Sequence, residues 1–506
     1  MLRCLSPLVG MSTCLVPQYN LFSDHSLCGE GSCSICVHAR SRCVAMVDHL
    51  PNFGREAIML KEMGFSSIDE LFSDIPEGVR RDSPLNLPPP QTEEEIMADA
   101  QRLLGANVAI NSRPNFLGAG LYENFVPSMV VAMATRGEFL TSYTPYQPEV
   151  SQGMLQALWE FQTMVSELVA LPVSNVSMYD ASTAAAEALN CAVRVHNKKA
   201  TQKNVVYVTE WLPEHRLSVI ENYSCGAETE IRTLKWDKNG MVDLKSAESA
   251  HGCCAVYVEQ PNPFGVIDEN LAELKQIIGE NTALVVGVNA TSLGLLEAPG
   301  NWGADIVVAE GQPFGIGPTA GGPIYGIYAC TDKYLRQMPG RIVGKTFDDK
   351  GKDAFTLTLS TREQHIRRHK ATSNICSNET LIALMGGIHM ALLGPMGIQK
   401  LALRNAAACQ VTMAGVLSIE GVELLFTNGA SYNEFTVSLP GLAKGALVHL
   451  DKLGVTAGLA LCDVMSGADD TWLHITATDQ TTMEDVAALV AGLESWLSST
   501  VMAVGS

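Results

Sequence analysis

Residues 311–323 read GQPFGIGPTAGGP and separate two short apolar segments, ADIVVAE at 304–310 and IYGIYAC at 324–330. Both flanking segments have the length and the valine and isoleucine content of buried strands. The segment between them is rich in glycine and proline, which favour turns, and it contains Gln312 but no lysine. These features predict a strand–loop–strand unit with an amide side chain near the start of its loop.

Apolar strand-like segments alternate with helical patterns from about residue 110 to residue 345. They are NVVYVT, CCAVYVE, ALVVGVN, DIVVAE and PIYGIYA. Continuous apolar strands between helices are typical of a mostly parallel sheet that is covered on both faces. The sequence therefore predicts an α/β fold, with a large domain over residues 111–345.

A smaller α+β domain is predicted over residues 346–506. Its long apolar helix pattern, LIALMGGIHMALLG, precedes the short segments GVELLF, NEFTVSL, VTAGLAL and TWLHITAT. Residues 46–110 are predicted to form an N-terminal helical arm, because EEEIMADAQRLLGA is a helical pattern with acids in its first turn. A Pro-rich extended linker, DSPLNLPPPQT, precedes that helix.

Composition excludes several classes of protein. A chain of 506 residues is too long for one ordinary core. Its content of 47% hydrophobic and 17% charged residues is typical of a globular chain with large buried interfaces. The net charge of −20 argues against a nucleic-acid partner, because phosphate binding needs a basic surface. No uninterrupted apolar stretch reaches the roughly 20 residues of a membrane helix, so we expect no membrane partner.

Six of the 14 cysteines lie within residues 1–45, at positions 4, 14, 28, 33, 36 and 43. Cys28, Cys33 and Cys36 have the spacing of a plant-type [2Fe–2S] cluster loop, so an iron–sulfur protein is one interpretation. The other is a Cys-rich extension that is disordered or not translated, because no strand pattern surrounds the loop, and we expect no metal site. The other eight cysteines lie in apolar segments, as buried free thiols do, which predicts a reducing cytoplasm.

Several long motifs occur in order between residue 46 and the end of the chain. They are NFLGAGLYENFVPSMV, TSYTPYQPEVSQGMLQALWEFQTM, SMYDASTAAAEA, RQMPGRIVG and TREQHIRRHKATSNIC. On these motifs the chain resembles the alpha-subunit (subunit 1) branch of the glycine decarboxylase P-protein family. The resemblance implies a pyridoxal-phosphate (PLP)-dependent transferase fold type I, which is aminotransferase-like.

The resemblance also implies one subunit of a heteromeric enzyme. A homologous beta subunit (subunit 2) carries PLP on a lysine, and the complex decarboxylates glycine and passes the aminomethyl group to the lipoyl arm of H-protein. Gln312 stands where the family's lysine belongs, two residues before Phe314, and an amide cannot form the imine that holds PLP. The resemblance therefore implies no catalytic residue in this chain alone, no covalent cofactor, and an alpha2beta2 assembly.

Three further residues are predicted to form a vestigial cofactor pocket with Gln312. Asn289 stands 23 residues before Gln312, where family members often carry an aspartate that pairs with the PLP nitrogen. Ser182 and Thr183 begin a helix whose first amides could hold a phosphate. Alternatively, Asn289 is an ordinary strand-end residue in a turn, and the serine and threonine belong to a helix cap.

A second group of residues is predicted to line the partner's glycine and PLP pocket. The group consists of Gly118, Gly120, Tyr122, Tyr143, Tyr146, Gln147, Thr372, Ser373 and Asn374. The prolines of TSYTPYQPE favour a rigid loop, and glycines let a backbone approach a ligand or a neighbouring chain. The alternative for the two loop tyrosines is a purely structural cluster at a subunit interface.

A basic cluster directly precedes Thr372. It consists of Arg362, His365, Arg367, Arg368, His369 and Lys370. The cluster has three possible interpretations. It could form a solvated face with internal ion pairs, an inter-subunit salt-bridge network, or a docking site for the acidic H-protein.

A stand-alone PLP enzyme with another lysine is the remaining alternative. The tripeptide at 345–347 repeats the Lys-Thr-Phe of the family's catalytic loop. Its neighbours Asp348 and Asp349 disfavour a neutral, nucleophilic amine. We therefore expect Lys345 to be a surface loop residue.

Overall fold

The computed structural model describes residues 52–504, except residues 53, 82, 198–202 and 320. The chain divides into two compact units, Met1–Val108 and Ala109–Ser506. The Cys-rich extension predicted over residues 1–45, with its cluster-like cysteines, lies outside the described residues.

The first unit contains two described α-helices, α1 (Glu56–Met63) and α2 (Glu93–Leu104). Helix α2 begins with a capping box, in which the Thr92 hydroxyl accepts the Glu95 N–H and the Glu95 carboxylate accepts the Thr92 N–H. The helix predicted from EEEIMADAQRLLGA is therefore confirmed. Neither helix has a buried residue, so the described residues do not bury their apolar side chains.

A seven-stranded sheet in the order β1-β7-β6-β5-β4-β2-β3 forms the centre of the second unit. Its strands are β1 (Val173–Ser174), β2 (Val205–Thr209), β3 (Glu230–Leu234), β4 (Ala255–Gln260), β5 (Ala283–Asn289), β6 (Ile306–Glu310) and β7 (Gly326–Cys330). Strands β2 to β6 run parallel, whereas β7 is antiparallel to both of its neighbours. The predicted mostly parallel sheet is confirmed.

Buried cores cover both faces of this sheet. On β5, Leu284 and Val286 enter one core, whereas Ala283 and Val285 enter the other, as the period of two in a strand requires. The helices of this region are α3 (Ser128–Ala134), α4 (Gly137–Leu140), α5 (Gln152–Val169), α6 (Ala181–Asn197), α7 (Glu214–Cys225), α8 (Leu244–Ala247) and α9 (Leu271–Ile278). Helices α5 and α9 supply the first core, and α6 and α7 supply the second.

A separate hairpin follows the large sheet and corrects one expectation. Strands β8 (Ile342–Phe347) and β9 (Asp353–Thr358) pair antiparallel, so Lys345 lies in a strand and not on a loop. The turn begins only at Asp348, whose carboxylate accepts the N–H groups of Lys350 and Lys352. The loop expectation was wrong because residues 342–347 pair with residues 353–358 as a strand. Residue 345, the predicted end of the large domain, therefore lies inside a strand.

The C-terminal part contains a four-stranded antiparallel sheet in the order β10-β11-β13-β12. Its strands are β10 (Glu423–Leu424), β11 (Glu434–Ser438), β12 (Leu459–Ala460) and β13 (Trp472–Thr476), and the helices are α10 (Gln364–Arg367), α11 (Thr380–Leu417), α12 (Ala443–Lys452) and α13 (Met483–Val504). Phe116 is buried in the core of this part, and its N–H donates to the Thr456 carbonyl at 2.8 Å. The segment before α3 therefore packs on the C-terminal sheet, although it precedes the large sheet in sequence.

Helix α11 connects the cores of the two parts. It is interrupted at Gly394, whose φ is 59°, and Pro395 follows. The residues before the interruption include Leu384 of the first core, and those after it include Val416 of the C-terminal core. Among the described helices, α11 alone is long and apolar enough to cross a membrane by length and composition. Its packing is that of a core helix.

Candidate functional site

The carboxyl ends of β4, β5 and β6 meet at one edge of the large sheet, where α/β proteins commonly bind ligands. The strand register places Asn289 of β5 beside Glu310 of β6, and Glu259 of β4 beside Gly287. These strand ends line a cavity of about 70 Å³. Further lining residues come from the start of α7, from the segment before α3 and from β11, and they include His215, Arg216, Gly120, Tyr122 and Glu434.

Gln312 is 1% exposed, and its amide holds the loop after β6 against the segment before α3. Its Oε1 accepts the Tyr122 N–H at 2.8 Å, and its Nε2 donates to the Tyr122 carbonyl at 2.9 Å and to the Ile316 carbonyl at 2.6 Å. The side chain thus pairs with the Tyr122 backbone much as a neighbouring strand would. Both the donor and the acceptor of an amide are needed for this arrangement, and a lysine has no acceptor.

Two carboxylates satisfy the first amides of helix α6. Asp180 Oδ1 accepts the N–H groups of Ser182 at 2.7 Å and Thr183 at 2.9 Å. Glu310 accepts the Ala181 N–H at 3.1 Å through one oxygen and the Gln312 N–H at 3.2 Å through the other. Ser182 and Thr183 therefore lie in a capped helix start, and a phosphate there would meet two carboxylates instead of free amides.

Glu310→Gln is expected to flatten the dependence of the free energy of unfolding on pH. Burial raises the pKa of Glu310 from 4.5 to about 7, so the folded protein keeps a proton that the unfolded chain has already released. Stability contributed by this group is present below pH 4.5 and is lost as the pH rises through 7. Between pH 5 and pH 8 the variant should lose about 2 kcal/mol less stability than the native protein.

Denaturant unfolding at the two pH values measures this difference, and it cancels any pH-independent cost of the amide. Glu149→Gln, at an exposed position, is the matched control and should leave the slope unchanged. Equal slopes in the native protein and in Glu310→Gln would contradict the assignment.

Arg216 and Glu259 form an ion pair at the end of β4. Arg216 Nη1 lies 2.6 Å from Glu259 Oε1 and 3.2 Å from the Tyr257 hydroxyl, which itself donates to Glu259 at 2.7 Å. Burial is the largest single effect and alone would lower the pKa of Arg216, but Glu259, Tyr257 and Tyr122 together outweigh it, so the pKa is raised and the arginine stays charged. The guanidinium Nε is also buried, and it has no hydrogen-bond acceptor among the described residues.

Glu434 of β11 joins the segment before α3 to the C-terminal sheet. Its Oε1 accepts the Ala119 N–H at 2.7 Å and the Thr476 hydroxyl at 3.0 Å, and its Oε2 accepts the Tyr122 hydroxyl at 2.8 Å. His474 Nε2 lies 3.3 Å from the same carboxylate. Burial opposes ionisation of Glu434, but the adjacent His474 ring and the hydrogen bonds from the other donors lower its pKa below the usual value. The hydrogen bonds from Ala119 and Tyr122 hold the segment before α3 against the C-terminal sheet.

The close approach of this carboxylate explains Gly118, and an unusual backbone explains Gly120. A Cβ on Gly118 would lie 2.7 Å from Glu434 Oε1, which is too close for any larger residue. Gly120 has a φ of 116°, a conformation that favours glycine. The structure places Gly118, Gly120 and Tyr122 around or beside the chain's own cavity, although they were predicted to line a partner's pocket.

Asn289 has a structural role at the end of β5. Its Oδ1 accepts the Thr291 N–H at 3.1 Å and the Thr291 hydroxyl at 2.8 Å, and its Nδ2 donates to Asn433 Oδ1 at 3.1 Å. These bonds cap the short turn that follows the strand. The arrangement agrees with the strand-end interpretation, and the residue also lines the cavity.

The remaining residues of the predicted partner group lie together on another surface. Tyr143 is 77% exposed, and its hydroxyl lies 2.6 Å from the Ser377 hydroxyl. Tyr146 is 51% exposed, and its hydroxyl accepts a hydrogen bond from Arg341 Nη2 at 2.9 Å. The same Arg341 nitrogen donates to the Cys376 carbonyl at 2.6 Å. The loop at 141–147 and the segment at 372–378 therefore form one surface, which we call the tyrosine surface.

Gln147 and Asn374 are exposed on the two segments of the tyrosine surface. The Thr372 N–H donates to the Arg362 carbonyl at 3.1 Å. The Ser373 hydroxyl donates to Glu187 of α6 at 2.5 Å. The second bond attaches the segment at 372–378 to helix α6 of the large domain.

The basic cluster divides into a structural part and an exposed part. Arg362 donates to the carbonyls of Met338, Gly340 and Leu359, so it supports the backbone. His365 packs edge-on against Tyr146 with ring centroids 5.6 Å apart. The residues at 367–370 are exposed, and no carboxylate of a described residue lies within ion-pair distance of them. The interpretation as a face with internal ion pairs fails for these four residues.

The described residues do not fit the PLP that the resemblance implies. Among them, no lysine lines the cavity, and the Gln312 amide is fully engaged with backbone groups. A cavity volume of about 70 Å³ is well below the roughly 300–1,000 Å³ of ordinary ligand pockets, whereas PLP carries a substituted ring and a phosphate. Lys345 pairs with Asp353 at 2.7 Å in the β8–β9 hairpin and does not line the cavity.

Sequence reasoning missed the charged residues of the cavity. Arg216, Glu259, Glu310 and Glu434 were not singled out, although Glu310 ends an apolar strand two residues before Gln312. The position of Glu310 could have indicated a site, because a single acidic residue at the carboxyl end of a parallel strand commonly faces a ligand site. Glu434 carried no such signal, since it comes from the other domain.

Residues 49–493 match the glycine cleavage system P-protein family. The chain is 44% identical over 452 residues to the probable glycine dehydrogenase (decarboxylating) subunit 1 of Pyrococcus abyssi, covering 88% of this chain and 98% of that relative. It is 42% identical over 440 residues to the protein of the same name from Maricaulis maris, covering 86% and 96%.

The structure is similar to a crystal structure of glycine decarboxylase (P-protein) of the glycine cleavage system in inhibitor-bound form. The TM-score is 0.79 at 35% identity, and the match covers 89% of this chain and all of the other. Sphingosine-1-phosphate lyase of Burkholderia pseudomallei, at 12% identity and a TM-score of 0.58 over 84% and 95% of the two chains, shares the fold alone. The predicted PLP-dependent transferase fold type I is confirmed, and the chain belongs to the glycine cleavage system P-protein family.

Proposed function

We propose that this chain is the subunit of a two-subunit glycine decarboxylase that does not hold PLP. The observation that carries the proposal is the buried Gln312 amide, whose three hydrogen bonds occupy the position of the family's lysine. Relatives named subunit 1 support a complex of two kinds of subunit. The partner is subunit 2, and it holds PLP on its own lysine.

The complex decarboxylates glycine and passes the aminomethyl group to the lipoyl arm of H-protein. PLP, when bound to the partner, supplies the electron sink for this chemistry. The contribution of this chain is a rigid surface that completes the partner's site and helps to exclude water. The tyrosine surface suits this role, because two exposed tyrosines are fixed by hydrogen bonds.

The first unit supports an assembly with another chain. Its helices contain exposed apolar residues, among them Ile58, Met59, Ile96 and Met97, each more than 40% exposed. An apolar face that its own unit does not cover is typical of a segment that packs on a partner subunit. We propose that the arm contacts subunit 2 in an alpha2beta2 complex in the cytoplasm.

The exposed basic residues at 367–370 favour an acidic partner. They lie beside the tyrosine surface in a protein of net charge −20 and have no ion-pair partner among the described residues. Charge complementarity of this kind raises association rates and fixes orientation more than it raises affinity. We propose that they form the docking site for H-protein, with an inter-subunit network as the second candidate.

Reconstitution tests the proposed function. The isolated chain should neither decarboxylate glycine nor exchange its carboxyl group with bicarbonate, and activity should appear on titration with subunit 2. Subunit 2 alone is the control for the partner's own contribution. Exchange by the isolated, homogeneous chain at the rate of the complex would overturn the proposal.

Tyr146→Phe is expected to slow the complex more than it weakens assembly. Arg341 orients the hydroxyl, and in the proposed complex the hydroxyl donates to a group of the partner's site, so its loss removes one hydrogen bond there, worth about 0.5–3 kcal/mol. The expected loss of rate lies between a few-fold and about a hundredfold. Exchange rates and the affinity for subunit 2, measured on the same preparations, separate the two effects.

Tyr223→Phe on α7 is the matched control, because Tyr223 lies outside the tyrosine surface. Full activity of Tyr146→Phe would assign the loop at 141–147 to the scaffold of the interface and not to the partner's site.

A further inference from the structure

A buried arginine lies beneath the tyrosine surface. Arg341 directly precedes strand β8 and is 6% exposed, although arginine is almost never buried unless it is paired. Among the described residues, one carboxylate lies within ion-pair distance of it, that of Glu363, whose Oε2 is 3.6 Å from Arg341 Nε. Neither residue lines the cavity at the strand ends. The chain therefore maintains a costly buried charge outside that cavity.

Arg341 connects the two segments of the tyrosine surface. Its Nη1 donates to Asn378 Oδ1 at 3.0 Å, and its Nη2 donates to the Cys376 carbonyl at 2.6 Å and to the Tyr146 hydroxyl at 2.9 Å. The first two acceptors belong to the segment at 372–378, and the third belongs to the loop at 141–147. Because the planar guanidinium holds its donors in a fixed geometry, one side chain sets the position of both segments.

Tyr146 is held by its ring as well as by its oxygen. The guanidinium carbon of Arg341 lies 5.3 Å from the centroid of the Tyr146 ring, and the His365 ring packs edge-on against the same tyrosine at 5.6 Å. His365 Nδ1 in turn lies 3.5 Å from Glu363, the carboxylate that faces Arg341. The phenol is thus half exposed and yet held on two sides.

The contact with Arg341 leaves the Tyr146 proton unused. A guanidinium has donors and no acceptor, so the phenol oxygen accepts this bond and its own proton takes no part in it. No acceptor for that proton occurs among the described residues. An O–H group that accepts a bond from a cation is also a stronger donor, because neighbouring hydrogen bonds polarise one another. Tyr146 therefore has an oriented and unused donor on an exposed surface.

We propose that Arg341 is a positioning residue of the complex, which holds the Tyr146 hydroxyl as a hydrogen-bond donor toward an acceptor in the site of subunit 2. The inference rests on the proposed function, because the acceptor belongs to the partner. Arg341 acts only through the tyrosine, since its own side chain is buried beneath the surface. Its effect is on the rate, because a misplaced donor slows the reaction even when the subunits associate normally.

A double-mutant cycle with Tyr146→Phe tests the proposal in the reconstituted complex. Arg341→Lys keeps the charge beside Glu363 but lacks the fork that reaches three acceptors. At saturating subunit 2 it should lower kcat for carboxyl exchange by about tenfold. In the Tyr146→Phe background, where no hydroxyl remains to be positioned, the same substitution should change kcat by less than about twofold. A role in packing alone would instead raise the concentration of subunit 2 needed for half-maximal activity and leave kcat unchanged.

Asn378 supplies a milder pair of variants in case Arg341→Lys does not fold. Asn378→Ala removes the acceptor of Arg341 Nη1 and should lower kcat by about threefold. Asn378→Asp keeps that acceptor, and the amide nitrogen that it loses has no acceptor among the described residues, so it should recover the rate that alanine loses. Arg113→Lys is the control, because Arg113 pairs with Asp451 outside the tyrosine surface, and it should leave kcat unchanged. Thermal unfolding of each isolated chain shows which variants are folded.

Two outcomes in an active complex would overturn the inference alone. They are an unchanged kcat in every folded variant of Arg341 and Asn378, and an equal loss of kcat from Arg341→Lys with and without the Tyr146 hydroxyl. A native complex that exchanges no carboxyl group would overturn the proposed function, and this inference with it. The failure of the inference is therefore distinguishable from the failure of the proposed function.

Discussion

Gln312→Lys is expected to destabilise the chain by about 3 kcal/mol or more and to give no lysine-bound PLP. The introduced ammonium can still donate to the carbonyls of Tyr122 and Ile316, but it cannot accept the Tyr122 N–H that Gln312 Oε1 accepts at 2.8 Å. A buried donor is left unsatisfied, and a charge is buried in a position that is 1% exposed in the native chain. Neither cost is offset by a cofactor, because the cavity is too small to hold one.

Denaturant unfolding measures the loss, and incubation with PLP followed by borohydride tests for a reduced adduct. Gln156→Lys is the matched control, since Gln156 is exposed on α5 and bonded only to Glu160, and it should change stability by less than about 0.5 kcal/mol. A Gln312→Lys chain as stable as the native protein, or one that gains a borohydride-stable PLP adduct, would contradict this account. Turnover comparable to the native complex would show that the rest of the pocket still supports catalysis.

Gly118→Ala is expected to cost about 3 kcal/mol of stability, because the new methyl group would collide with two fixed groups. Its Cβ would lie 2.7 Å from Glu434 Oε1 and still closer to the Thr476 hydroxyl. Neither group can move freely, since Thr476 donates to Glu434 and the same carboxylate also accepts the Ala119 N–H and the Tyr122 hydroxyl. A shift that relieves the clash would break several of these buried bonds.

Gly153→Ala on helix α5 is the matched control. A Cβ on Gly153 would have no atom within 4 Å, and alanine in a helix is favoured over glycine by about 0.5–1 kcal/mol. The two substitutions should therefore change the free energy of unfolding in opposite directions. A neutral Gly118→Ala would show that the segment before α3 is held loosely against the C-terminal sheet.

These two predictions depend on the same structural feature, the attachment of the segment at 114–124 to both domains. Tyr122 pairs with Gln312 of the large domain through its backbone and with Glu434 of the C-terminal sheet through its hydroxyl. The Gln312 side chain thus stabilises the protein by joining the loop after β6 to the segment before α3.

Much of the fold could be predicted from the sequence. Buried parallel strands are continuous apolar runs with a length and composition of their own, so ALVVGVN and DIVVAE predicted β5 and β6 correctly. The start of the helix at Ala181–Asn197 was predicted correctly from the sequence SMYDASTAAAEA. The hairpin that contains Lys345 was missed, because its strands are half exposed and lack a continuous apolar run.

The site was predicted less completely than the fold. Of the two loop residues that were singled out, Asn289 lines the cavity and Gln312 does not, because the Gln312 amide is bonded to the backbone of Tyr122 and Ile316. The assignment of Gly118, Gly120 and Tyr122 to a partner's pocket did not follow from the residues themselves, since glycines indicate close approach without indicating to what. The structure shows that Gly118 approaches Glu434 and Thr476 of the same chain, whereas Gly120 has a backbone conformation that favours glycine.

The sequence by itself determined the fold class, the family and the absence of a lysine at residue 312. These depend on residue identity and on periodicity along the chain, which are local properties. Only the tertiary structure decided what Gln312 does, which carboxylates surround Arg216, and that Tyr143 and Tyr146 share a surface with residues 372–378. Each of these features brings together residues that are far apart in sequence. The hydrogen-bond partners of a buried polar atom are the groups that tertiary packing places beside it, and these need not be neighbours along the chain.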